Sequence, residues 1–180
     1  MILKFNRLWE TDEEALPHVI VNLFHDKHFL HVRFQVTEPE DCFIANVKSD
    51  GGHAWEDSCV EIFVQSLNSN DYLNFELTSR GYCYAARGRD RAHRTELKTT
   101  DYTSLLRHVT APIFENGFVS WELKVSIPAK LLGCSDLSQE TLYGNIYKCA
   151  DRARRPHYLT LFPINTEKPD FHQPRFFQKF

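Results

Sequence analysis

The chain is poor in several things that would place it quickly. Its 180 residues include only seven glycines and one methionine. With no repeat and no low-complexity stretch, it reads as a packed domain and not as a fibrous or disordered chain. No apolar run approaches the ~20 residues of a membrane-spanning helix. Neither sign of charge dominates: the formal net charge is −3, which leaves no global electrostatic footprint for nucleic acid or an anionic membrane. The glycine loops GxxxxGK[ST] and GxGxxG are missing, as is the GxSxG nucleophile turn. The opening "MILKFNRLWETDEE" has no apolar core of a leader peptide and turns acidic at once. The expected compartment is therefore the cytoplasm as written, or the periplasm or exterior if a leader has been removed.

Short-range metal and redox spacings are also lacking. The five cysteines, at 42, 59, 83, 134 and 149, include no CxxC pair, and their number is odd. Cys59, Cys83 and Cys149 lie in strand-like runs and read as buried reduced thiols. His25, His28 and His31 suggest a ligand set, but on a strand His28 and His31 point to opposite faces. No resident metal is expected, and no dense Asp/Asn loop demands calcium, which stays unassigned.

What is abundant is aromatic and alternating. Phe, Tyr and Trp number 14, 7 and 3. Leu30, Val32, Phe34 and Val36 alternate with polar neighbours, Val60, Ile62 and Val64 with Glu61, Phe63 and Gln65, and Leu73, Phe75 and Leu77, then Val119, Trp121, Leu123, Val125 and Ile127, again with polar neighbours. This period of two is that of half-buried strands. Further strands are predicted over 19–24, 81–86, 106–111, 145–149 and 158–162. "NSND" at 68–71 and "ENG" at 115–117 read as hairpin turns. "PAKLLGCS" after Ile127 is a short helical turn with Pro128 at its start and Gly133 at its end. Nine or ten short antiparallel strands make an all-β, jelly-roll-like sandwich, a single domain over residues 1–180 with at most one or two helical turns. Trp121 shares a face with Val119 and Leu123 and reads as core.

The stretch "HAWEDSCVEIFVQ", residues 53–65, carries the chemistry. Trp55 sits on a loop just before a strand, and Glu61 follows on that strand's polar face. Asn74 and Glu76 fall on the outer face of the next strand. Flat rings suit the C–H faces of sugars, and planar polar side chains suit their neighbouring hydroxyls. A solvated sheet face would show the same pattern. "RGYCYAARGRDRAHR", residues 80–94, interleaves arginines with Tyr82 and Tyr84. Such a segment could stack on bases, grip hydroxyls or an acidic sugar, or simply be a solvated basic loop. The negative net charge argues against nucleic acid. Glu61 and Glu76 could also form the carboxylate pair of a glycoside hydrolase.

In order along the chain, "WEDSCVEIFV", "YLNFELTSRG", "WELKVSIPAKLLG", "GNIYKCAD", "PHYLTLFPI" and "KPDFHQPRFF" resemble the family 9 carbohydrate-binding modules. They are most similar to the stand-alone branch of polysaccharide-degrading gut bacteria, from about Trp9 to the end. The resemblance implies a β-sandwich that holds a sugar, often at a chain's reducing end, between two aromatic rings and alters no bond. It places Trp55 as the first ring, Glu61 as the carboxylate, and Arg80 or Arg87 as the arginine. It puts Phe171, with His172 beside it, where better-known members have a second Trp. Lys148 and Asp151 are candidates for the same mouth or, equally, for a structural salt bridge. The implied ligand is a mono- or oligosaccharide or a polysaccharide end, in the service of polysaccharide breakdown, with no nucleic acid or membrane partner. The runner-up readings are a glycoside hydrolase or its subunit, and a protein-interaction sandwich. Oligomeric state stays open.

Overall fold

The structure, a computed structural model, describes residues 1–2, 4–5, 9 and 16–180. An alternating strand has one apolar face, so two sheets must bury those faces against each other. The strands are β1 (Lys4–Phe5), β2 (His18–His25), β3 (Phe29–Pro39), β4 (Cys59–Ser66), β5 (Tyr72–Thr78), β6 (Cys83–Gly88) and β7 (Arg94–Glu96). They continue with β8 (Leu106–Val109), β9 (Ile113–Glu115), β10 (Phe118–Pro128), β11 (Leu142–Cys149), β12 (Tyr158–Thr160) and β13 (Gln178–Lys179). One sheet runs β2-β3-β10-β8, with β9 also on β10. The other runs β1-β12-β11-β4-β5-β6-β7, with β13 on β11. Every pairing is antiparallel.

The inner faces are the alternating sets read from the sequence. Val32, Phe34, Trp121 and Leu123 of the first sheet pack on Val60, Ile62, Phe75 and Leu77 of the second, all buried. Each such side chain contributes about 1.5–3 kcal/mol on leaving water. The "ENG" turn joins β9 to β10 with Asn116 at φ 52° and Gly117 at φ 78°. That pair of positive angles is the type I′ geometry for which Asn-Gly is suited. Pro128 leads into a 3-10 turn at Ala129–Leu132, which Gly133 ends in the left-handed region. A six-residue α-helix at Thr99–Ser104 and other single 3-10 turns complete the helical content among the described residues.

One polar network crosses the sandwich. Glu38 of β3 accepts from Trp121 Nε1 at 2.7 Å, from Ser58 at 3.1 Å and from Lys148 Nζ at 3.0 Å. Lys148 also meets His157 Nε2 at 2.9 Å, and every member of the network is buried.

The second sheet is covered on both sides. Its outer face carries a separate aromatic cluster of Trp9, Phe63, Tyr72, Tyr147 and Phe171, with Tyr158, Phe176 and Phe177 at its margin. The chain after β12 therefore forms a partial third layer. All seven residues of β5 are buried as a result, although the strand's outward positions include Asn74 and Glu76.

Candidate functional site

Register builds the floor of the site. Glu61 of β4 stands directly opposite Glu76 of β5, and Phe63 opposite Asn74. Cys59 of β4 stands opposite Cys149 of β11. These side chains point away from the hydrocarbon core and into the space beneath the third layer. A cavity of about 320 Å³ opens there. Trp55, Glu61, Glu76, Arg91, Arg94, Cys149, Asp151, Tyr158, Pro169, Phe171 and His172 line it.

Burial sets the charges. Glu61 and Glu76 are each 3% exposed. Desolvation pushes the Glu76 carboxyl up to about 8, against the opposing pull of Arg94 and Arg91. Desolvation also holds Glu61 well above the usual carboxylate range, aided by Cys149 and Glu76. Asp151 is raised by burial as well. Glu76 Oε1 accepts from Asn74 Nδ2 at 2.9 Å, whereas Oε2 is buried with no hydrogen-bond partner among the described residues. Asn74 Oδ1 in turn accepts from Arg94 at 3.2 Å. Asn74 thus sits beneath the site and fixes both a carboxyl and a guanidinium.

Trp55 forms one wall. It lies on a 3-10 turn, Ala54–Glu56, and is half-buried. Its ring stacks on His53 at 4.5 Å and meets Tyr84 edge-on at 5.4 Å. The Trp55 carbonyl accepts from the Asp151 amide at 3.0 Å, which ties this turn to the loop after β11.

The tail forms the other wall. Phe171 stacks flat on Tyr147, with centroids 4.1 Å apart and planes 4° apart, and touches Trp9 and Tyr158. At 7% exposure, it presents only a margin of its ring to the cavity. His172 Nδ1 lies 2.7 Å from the Tyr72 hydroxyl. Burial, then Arg94 and Arg91, push that imidazole down to about 3, so it is neutral at pH 7. Arg91 pairs with Asp170 at 2.8 Å and anchors the tail to the loop before β7.

Of the residues singled out in the sequence, Trp55, Glu61, Glu76, Asp151, Phe171 and His172 meet around this one cavity, with Asn74 directly behind. Four lie elsewhere. Arg80 is exposed in the turn between β5 and β6, its amide 3.3 Å from Thr78 Oγ1. Tyr82 is held by the same oxygen at 3.2 Å. Arg87 shares the inward face of β6 with Cys83 and Ala85 and donates to the Leu131 carbonyl. Lys148 lies on the inner face, paired to Glu38. The arginines at the cavity are Arg91 and Arg94, from the same basic segment but past its turn. That turn needs Gly88: a Cβ there would meet the His93 carbonyl oxygen at 2.0 Å. The close approach brings Arg94 back opposite Gly88 on β7. Tyr158 and Cys149, also at the cavity, had only strand periodicity to mark them.

Comparison with known proteins agrees in fold and class. Residues 4–180 match the model of carbohydrate-binding family 9. The crystal structure of a candidate carbohydrate-binding protein from Bacteroides uniformis ATCC 8492 superposes with a TM-score of 0.87 at 30% sequence identity, over 99% of this chain and 83% of that one. No curated protein matches.

Proposed function

The chain belongs to carbohydrate-binding family 9, and from that premise we propose that the cavity between the Trp55 turn and the tail binds a sugar without altering it. The observation that carries this reading is the pairing of aromatic walls with a buried, under-bonded carboxyl, that of Glu76. A buried polar atom without a partner is costly, and a ligand hydroxyl relieves that cost. Glu76 Oε2 is such an atom, and Glu76 lines the cavity that Trp55 borders. Trp55 supplies the exposed flat face for a pyranose ring, and the margins of Phe171 and Tyr158 close the far side. Glu61, Glu76 and Asp151 take hydroxyl hydrogens, and Arg94 donates to ring or hydroxyl oxygens. About 320 Å³ lies at the small end of ligand pockets, ~300–1,000 Å³, which suits one or two sugar units at the end of a glycan. Service in polysaccharide breakdown is the role this binding fits.

A hydrolase reading would use Glu61 and Glu76 as its carboxyl pair. Such chemistry needs one of the two ionised beside a protonated partner. Here desolvation holds both toward the protonated form, which favours hydrogen bonding over nucleophilic attack.

The test is a glycan array followed by calorimetry on its hits, with a reducing-sugar assay for turnover. Trp55→Ala is expected to reduce affinity at least tenfold, with a smaller effect on thermal unfolding than Phe171→Ala because the ring lies at the margin of the aromatic cluster. Glu61→Gln is expected to weaken binding. Wild-type affinity in both variants would remove this cavity as the sugar site. New reducing ends would overturn the non-catalytic reading.

A further inference from the structure

Strand pairing brings together three ligand-type atoms that sequence spacing keeps far apart. Cys59 and Cys149 face each other across β4 and β11. The Cys149 thiol donates to Glu61 Oε1 at 3.1 Å. The two sulfurs and a Glu61 carboxylate oxygen all lie within 4.8 Å of one another. The Trp55 carbonyl oxygen is 3.6 Å from Cys149 Sγ and offers a fourth donor. Both cysteines are free thiols, and Cys149 and Glu61 open onto the cavity, so an ion has a route in.

We propose that Cys59, Cys149 and Glu61 form a binding site for a thiophilic divalent cation of the zinc or cadmium class, on the floor of the cavity. Two sulfur and two oxygen donors match the four-coordinate preference of such ions. Hard cations such as calcium, which take six to eight oxygens, do not fit this set. Two thiolates balance the ion's charge, and on binding each thiol, together with the Glu61 carboxyl where it is protonated, releases its proton to solvent. The groups facing the site are Glu76, Asp151 and, through the sheet, Lys148. The carboxyls of the first two favour the cation, and the Lys148 amine opposes it.

This site does not depend on the sugar reading, although Glu61 is common to both, so sugar and ion are expected to compete. The experiment titrates the reduced chain with Cd²⁺ alone, following the thiolate-to-cadmium charge-transfer absorption and the protons released. One ion per chain is expected, with at least two protons set free. In Glu61→Gln affinity should fall about tenfold, and in Cys149→Ala the absorption should disappear. Because a buried Cys→Ala change can unsettle the fold, the wild type is also alkylated with and without Cd²⁺, and the labelled positions are mapped. Cd²⁺ should protect Cys149, leaving Cys134 as reactive as before. Absence of the absorption, its persistence in Cys149→Ala, or protection confined to Cys134 or Cys42 would each overturn the site. Glycan binding without cadmium uptake overturns this inference alone. Cadmium uptake without glycan binding overturns only the sugar reading.

Discussion

Replacing Glu76 by Gln should stabilise the protein, and by an amount that depends on pH. The side chain is 3% exposed, and burial moves its carboxyl from 4.5 to about 8. Below pH 4.5 the folded and unfolded chains both carry the proton, and burial costs nothing through ionisation. Between 4.5 and about 8 the unfolded chain releases the proton while the folded chain keeps it, so stability falls as pH rises. At ~1.36 kcal/mol per pH unit, the loss reaches roughly 3 kcal/mol at pH 7 as a ceiling. Gln carries no charge at any pH and retains an oxygen to accept from Asn74 Nδ2, now 2.9 Å from Glu76 Oε1. Urea unfolding of wild type and Glu76→Gln at pH 5, 6, 7 and 8 measures the difference. It should be under ~1 kcal/mol at pH 5 and grow in the variant's favour toward pH 8, while sugar affinity declines because a hydrogen-bonding oxygen at the cavity is lost. A stability difference that is flat with pH, or that favours the wild type at pH 7, would refute the reasoning.

Three other outcomes follow from the same geometry. Phe171→Ala removes a ring stacked on Tyr147 and Trp9 and should cost about 3 kcal/mol or more in denaturant unfolding, more than Trp55→Ala, whose main effect is on binding. Lys148→Ala leaves the Glu38 carboxylate uncompensated inside the sandwich and should cost about 3–5 kcal/mol, with no separate loss of sugar affinity when measured well below the unfolding temperature. His157 and His172 are pushed from 6.5 down to about 2 and about 3, chiefly by burial. The unfolded chain takes up their protons first, so stability present above pH 6.5 is lost as pH falls below it; His172→Gln should flatten that acid limb in thermal scans between pH 6 and 4.

The strands were legible because their period is two and their inner faces are consistently apolar. Parity alone put Glu61, Asn74 and Glu76 on one face. Parity also had the answer for Arg87 and Lys148, which share the inward register of Ala85 and Ile146. A positive charge on an inward position looks wrong until its partner is known, and Glu38 lies far away in sequence. What the sequence could not announce was the fate of the outer face. A polar stripe reads as solvated unless something covers it. The cover here is a tail with almost no regular structure, held by an ion pair, a Tyr–His contact and one flat stack. Arg91 and Arg94 were hidden for a related reason: their approach depends on a turn at Gly88, not on a periodic pattern.

That cover turns an ordinary strand face into a site. On an open sheet Glu61 and Glu76 would be hydrated, ionised and indifferent to a sugar, since water would satisfy their oxygens as well as any ligand. Under Phe171 and His172 they lose water, retain protons and leave Glu76 Oε2 unmatched. Burial of the aromatic cluster around Tyr147 and Phe171 opposes that cost in the free protein. A ligand hydroxyl recovers part of the deficit on binding, so affinity comes from a deficit built into the floor as well as from the rings at the walls. The division of labour is then physical: Trp55, half-buried at the margin of the aromatic cluster, should matter less to the fold than Phe171, which belongs to the cluster that makes the floor dry. A variant that exposes the floor while keeping Trp55, such as Phe171→Ala, should therefore lose sugar binding even at temperatures where it remains folded.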